Sequence, residues 1–304
     1  MADLTIYNSV NKMLGELKLL TRSLNTEKTY LKGLNSFVVM MKIENLDTLI
    51  EELKKNSKDP DEVYKEYVLK LASSEVAPKT VGAWSASVKK LFVANGIDLK
   101  RAVPIKIYNI HEDVLPAKED LKKIISDCGL RTKAIILFLS SSGLRVGELR
   151  ELKLGDIDMN SNPVKITIRG ATAKERKSRI TFISKEAKEV LQSFLDKRKS
   201  KGETISPETF LMTTTAGVKM SYQNLQFILN NAFKKVSKKE GKRYKLHAHS
   251  LRKFFKTQMI SAGVPGPIVD RLVGHSRYLA SEYELYTEDQ LKDWYLKGMD
   301  NLNI

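Results

Sequence analysis

Lys245-Leu-His-Ala-His-Ser-Leu-Arg-Lys-Phe-Phe-Lys-Thr-Gln-Met259 carries two patterns at once. Leu251, Phe254, Phe255 and Met259 recur at helical spacing, which predicts an amphipathic helix with these four side chains against a core. His249 and Arg252, three positions apart, are expected together on the opposite face. An imidazole that can carry a proton, beside a cation that never loses its own, suits an anion such as a phosphate. Many surface helices hold such a pair by chance, so its weight depends on the rest of the chain.

The chain has 304 residues, enough for two domains with well-filled cores. Lysine and arginine number 52 against 36 acidic residues, a formal net charge of +16. That excess points to a polyanionic partner, most simply nucleic acid, although a lysine-rich soluble protein would share it. Cys128 is the single cysteine, which excludes an internal disulfide framework and a thiolate metal site. Zinc is the competing reading for His247, His249 and His275. Histidines two apart on a helix diverge, and no cysteine or carboxylate spacing completes such a site, so no metal is expected. No stretch has the length of a membrane span and the N-terminus has no signal-peptide pattern. The expected setting is the cytoplasm, at the nucleoid, with no membrane partner.

Upstream, residues 1–100 read as an all-helical domain. Leu24-Asn-Thr-Glu27 looks like a capped helix start, followed by an apolar stripe of Tyr30, Leu34, Phe37, Val38 and Met41. Leu46 to Leu53 reads as a short helix, and Pro60 and Pro78 each open another. Asn95-Gly96 ends the last. The aromatics here read as core; Lys79, Lys89 and Lys90 are positioned either for phosphates or for a wet face. Residues 101–116 read as a linker containing His111, and 117–304 as the second domain.

That second domain is expected to be mainly α with a small antiparallel β-sheet. Ala134 to Ser140 is a buried helix that stops at Gly143, and Arg145 then falls in the first turn of a new helix. A cation there opposes the helix dipole unless an anion binds at that N-terminus. Glu148 can brace the guanidinium or cap the turn. Val164 to Arg169 and Arg179 to Ile183 alternate as strands, joined by a turn carrying Lys174, Arg176 and Lys177. Lys234 to Lys245 is a basic run suited to a DNA backbone. A short helix, Ile268 to Val273, ends at Gly274 with His275 just beyond, and the tail holds Tyr278, Tyr283 and Tyr286 before a helix from Glu288 to Met299.

In kind and in order these pieces resemble the tyrosine recombinase, or phage-type integrase, family. Gly143-Leu-Arg-Val-Gly-Glu-Leu149 is similar to the family's first-arginine box; the hairpin lysine, His249-Ser-Leu-Arg252 and Leu272-Val-Gly-His-Ser276 follow in the expected sequence. The tail through Tyr295-Leu-Lys-Gly-Met-Asp-Asn-Leu302 resembles integrases of archaea and their mobile elements. The resemblance implies a two-domain DNA clamp with a helical N-terminal domain. It also implies transesterification, with no metal and no cofactor, through a 3′-phosphotyrosyl intermediate that frees a 5′-hydroxyl. Arg145 and Arg252 would stabilise charge on the non-bridging oxygens. Lys174 would protonate the leaving oxygen, with Arg176 and Lys177 as alternatives, and Glu148 would orient neighbours. His249 would assist the tyrosine or bind phosphate, and His275 would donate to a non-bridging oxygen.

The usual family spacing from His275 lands on Glu284, one residue past Tyr283 and two short of Tyr286; Glu282-Tyr-Glu-Leu-Tyr-Thr-Glu288 is most similar to the archaeal-type tail with Tyr283 as the nucleophile, which leaves Tyr286 as the alternative. Two other functions fit parts of the pattern: a type IB topoisomerase, and a non-catalytic DNA-binding relative. A recombinase implies dimers on DNA and a tetramer at synapsis. Leu291, Trp294, Tyr295 and Met299 share a face of the tail helix that docks either on a neighbour or on its own domain.

Overall fold

Helix starts in the N-terminal half are written into the sequence as caps. In a computed structural model of the chain, Ser23, Asn45 and Asp59 each accept a bond from a first-turn amide. Pro60 and Pro78 occupy the first helical position, where an amide would have no partner. The structure describes residues 3–21, 23–101, 103–108, 114–171, 177–237, 239–240, 243–275 and 286–304. The chain divides into two compact units, Met1–Glu112 and Asp113–Ile304.

Among the described residues the first unit has five α-helices, α1 Asn8–Leu20, α2 Leu24–Met40, α3 Leu46–Lys54, α4 Pro60–Ala72 and α5 Pro78–Ala94. Their apolar stripes close one core, in which Phe37 meets Tyr67 and Phe92 edge-on with ring centroids 5.0 and 6.1 Å apart. The aromatics read as core are therefore core, and Lys90 is paired with Glu16 at 2.7 Å. Part of the expected linker belongs to this unit as well. The amides of Lys100 and Arg101 donate to the Asp61 carboxylate, and Val103 and Ile105 pack on the same core.

The second unit is mainly α with a small antiparallel sheet. Its helices are α6 Lys118–Ser126, α7 Leu130–Ser142, α8 Val146–Glu151, α9 Lys185–Ser200, α10 Tyr222–Phe233, α11 Ala248–Ser261, α12 Gly266–Val273 and α13 Glu288–Met299. Strands β1 Ile157–Asp158, β2 Val164–Ile168 and β3 Arg179–Ile183 form one sheet in that order, with Ile166 opposite Ile157 and Thr181. Val164, Ile166 and Ile168 point into the core while Lys165 and Thr167 do not, the period of two expected of a half-buried strand. The basic run contains a second sheet that the charge pattern did not reveal: β4 Lys239–Glu240 pairs antiparallel with β5 Arg243–Tyr244.

α7 is buried from Ala134 to Ser142 and forms the spine of this unit. A separate apolar cluster lies at its end, where Phe255 and Met259 of α11, Val269, Leu272 and Val273 of α12, and Leu291 and Tyr295 of α13 meet Phe182 of β3. The tail helix thus folds onto its own unit, and the buried Tyr295 hydroxyl donates to the Ser141 carbonyl at 2.8 Å.

Candidate active site

α7 stops because Gly143 adopts the left-handed conformation, with φ at +65°. A Cβ at this position would stand 2.5 Å from Cδ1 of Phe255, so glycine is required both by the turn and by the neighbour. Two residues later Arg145, in extended backbone, is the N-cap of α8 rather than a residue of its first turn. Its amide donates to Glu148 Oε2 at 2.9 Å and its guanidinium to Oε1 at 3.2 Å. The carboxylate thus caps and braces at once. Glu148 thereby supplies negative charge at this six-residue helix's N-terminus from within the chain.

Glu148 has a second partner that sequence inspection missed. Arg179, the first residue of β3, donates to both carboxylate oxygens at 3.0 and 2.7 Å and to the Leu272 carbonyl at 3.2 Å. Both side chains of this pair are buried. Burial alone would raise the Glu148 pKa; the bonds and charge of Arg179, with Arg145, outweigh it and hold the carboxyl below the ordinary range. Gly274, with φ at +71°, leaves the room this guanidinium needs, since a Cβ there would come within 2.8 Å of Arg179 Cδ and Nε. An arginine opening an otherwise apolar strand was the available signal.

Arg252 does not share an exposed face with His249. Its residue is 2% exposed, and its two terminal nitrogens donate to the carbonyls of Gly143 and Val273, each at 2.6 Å. These are the carbonyls of the C-cap of α7 and of the last residue of α12, which have no partner within their helices. The planar guanidinium fork matches two divergent acceptors, and this draws the side chain inward. His249 lies in the first turn of α11 on the exposed side, its ring 6.4 Å from that of His247.

His275 follows the left-handed cap of α12, and its amide donates to the Asp270 carbonyl at 2.8 Å. Its side chain is 39% exposed. Nδ1 lies 3.4 Å from Lys256 Nζ and 3.7 Å from Asp270 Oδ1, while Lys256 and Asp270 pair at 2.7 Å. Burial, then the charges of Arg252, Lys256 and Arg145, lower the pKa of this imidazole to about 4, against the opposing pull of Asp270. At neutral pH the ring is uncharged and offers one N–H. Lys256, four residues after Arg252 and on the same helical side, was legible from spacing but was passed over.

The site thus brings together Arg145, Glu148, Arg179, Arg252, Lys256, Asp270 and His275: two buried carboxylates, several cations and a neutral donor. This is an environment for stabilising negative charge. Lys174, Arg176 and Tyr283 lie outside the described residues, as does His111. Lys177 is exposed, and Tyr286 is half-buried against the cluster beneath α13. Among the described residues no group of three or more His, Cys, Asp or Glu is placed to hold a metal ion. No helix among them is long and apolar enough to cross a membrane.

The sequence pattern of the Phage integrase family matches residues 116–291. A protein described as tyrosine recombinase XerC from Pelotomaculum thermopropionicum is 27% identical over 258 residues, covering 78% of this chain and 80% of the relative. Another of the same description, from Leptospira interrogans, is 30% identical over 191 residues, 62% of this chain and 57% of the relative. Among solved structures, the Tn1549 transposon integrase in complex with transposon right end DNA superposes with a TM-score of 0.65 at 18% identity, covering 94% of this chain and 97% of that one. XerH site-specific recombinase bound to a palindromic difH substrate gives 0.61 at 16% identity, over 89% and 79%. At these identities the structural likeness speaks for the fold.

Proposed function

Because the chain belongs to the phage integrase family, we propose that it is a site-specific DNA recombinase that cuts and rejoins strands through a 3′-phosphotyrosyl intermediate. The observation that carries this reading is the convergence of Arg145, Arg252 and His275 around the Glu148–Arg179 pair. Attack on a phosphodiester builds negative charge on the non-bridging oxygens, and fixed cations with a neutral N–H donor lower the energy of that state. Arg145 and Arg252 take the charge, and His275 donates to one oxygen. His249, exposed on the first turn of α11, assists the tyrosine or binds the phosphate.

Tyr283 is the nucleophile in this proposal, with Tyr286 as the alternative. A phenol, with an ordinary pKa of about 10, needs a cationic pocket to become reactive. Lys174 serves as the acid for the leaving 5′-hydroxyl, a role that suits an ammonium on a flexible stem. The substrate is double-stranded DNA, gripped by the helical domain of residues 1–100 and the domain of 117–304 on either side of the 101–116 linker. Each exchange requires paired cleavages, so the protein acts as dimers on DNA and a tetramer at synapsis, in the cytoplasm at the nucleoid.

The test is to incubate the full chain with a sheared, nicked DNA library and recover DNA that survives denaturation bound to protein. Wild-type protein and Tyr286→Phe are expected to give such adducts, and Tyr283→Phe none. Adducts persisting in Tyr283→Phe overturn the assignment of the nucleophile. Their absence from wild-type protein overturns the enzyme itself. Sequencing the trapped ends identifies the target site.

A further inference from the structure

We propose that Lys256, held in place by Asp270, fixes His275 as the tautomer that carries its proton on Nε2, and so keeps a hydrogen-bond donor available to the DNA phosphate. The inference rests on the reading of the site given above. It assigns Lys256 and Asp270 as positioning residues.

The argument begins with what an ammonium can do. Lys256 Nζ has donors only, so its 3.4 Å approach to His275 Nδ1 is favourable only if Nδ1 presents a lone pair. The proton of a neutral imidazole then sits on Nε2. Asp270 Oδ1, 3.7 Å from the same nitrogen, favours the opposite arrangement, because a carboxylate attracts an Nδ1–H. Lys256 decides the contest by engaging that oxygen itself at 2.7 Å. Among the described residues, the other charges facing the ring are Arg252 from α11 and Arg145 from the α8 cap, both of which disfavour a second proton on it. Arg179, from β3, lies against Gly274, but its charge is matched by Glu148. The ring therefore stays neutral, and its tautomer is the property left to be set. With Lys256 removed, Asp270 becomes the partner of Nδ1, the proton moves to that side, and Nε2 turns a lone pair toward an anionic oxygen.

The test is long-range 15N–1H correlation spectroscopy at neutral pH on the full chain labelled at histidine. His275 is assigned by the resonances missing from His275→Gln. The wild-type ring is expected to show an unprotonated Nδ1 and a protonated Nε2. Lys256→Met is expected to invert or mix the two, and Lys256→Arg to restore them. In Lys256→Met with Asp270→Asn the carboxylate is gone as well, and the Nε2–H form returns. Covalent adduct formation follows the same order: roughly 100-fold slower in Lys256→Met, as for loss of one oxyanion donor, with partial recovery in the double variant. A protonated Nδ1 in the wild type overturns the proposal even if every variant fails to fold. So does an unchanged tautomer in a folded Lys256→Met. Wild-type protein that forms no adducts while showing the Nε2–H ring sinks the recombinase reading and leaves the tautomer result standing.

Discussion

At the scale of single residues, Glu148 organises the site. One carboxylate accepts from the Arg145 amide, the Arg145 guanidinium and both terminal nitrogens of Arg179. Breaking a buried ion pair from one side leaves its partner charged and unmatched. Glu148→Gln is therefore expected to lose about 3–5 kcal/mol at pH 7 in urea unfolding. The pH dependence follows from the sign of the shift. The folded Glu148 pKa lies below its unfolded value, so the stability it contributes is complete above the ordinary carboxylate range. That contribution is lost as pH falls through the lower folded value. The gap between wild type and Glu148→Gln should accordingly narrow on acidification; a gap independent of pH would show that the carboxylate is not ionised in the fold. His275 behaves differently, since its folded pKa of about 4 keeps it neutral through the physiological range.

At the scale of elements, the site is a meeting of helix ends. α7 ends at Gly143, α8 begins at Arg145, α12 ends at Gly274, and the Arg252 guanidinium on α11 joins the first of these to the last. Its two carbonyl bonds satisfy groups that a helix cannot satisfy for itself. They also leave the cation in a fixed place. α13 holds this junction from below through the buried Tyr295, whose ring lies 5.2 Å from Phe182 and 6.3 Å from Phe255. Tyr295→Phe keeps that packing and removes the bond to the Ser141 carbonyl. The expected cost is about 1–2 kcal/mol in denaturant unfolding, with adduct formation retained if the helix only supports the site. No change in stability would mean that this hydroxyl bond contributes nothing net.

At the scale of the whole chain, a formal charge of +16 and a family whose members act on DNA converge on backbone binding. Each phosphate neutralised by a lysine or arginine releases a counterion, giving a slope of roughly −0.9 in log affinity against log salt. Filter binding between 50 and 200 mM salt is expected to show affinity falling by roughly a thousandfold or more, the mark of about six or more phosphate contacts. A shallow slope would mean that the basic surface is not the DNA-binding surface. The tail helix bears on assembly too. Its apolar face is already covered within its own unit, so the proposed tetramer would draw its contacts between copies from elsewhere or by releasing α13.

What the sequence determined by itself was whatever depends on neighbours in the chain. The short helix from Leu46, the prolines at helix starts, the alternation of β2 and the apolar stripe of α11 are local, because backbone bonding and side-chain periodicity act over a few residues. The boxes around Arg145, Arg252 and His275 were legible for the same reason. The direction of each side chain was decided by the tertiary structure. Spacing placed Arg252 beside His249, but two carbonyls from distant helices turned it inward, 109 and 21 residues away along the chain. Arg179 and Lys256 acquired their partners only when α8, β3, α11 and α12 were brought together. Charge is carried by a residue; what that charge meets is fixed by the fold, because electrostatic partners are set by distance in space and not along the chain.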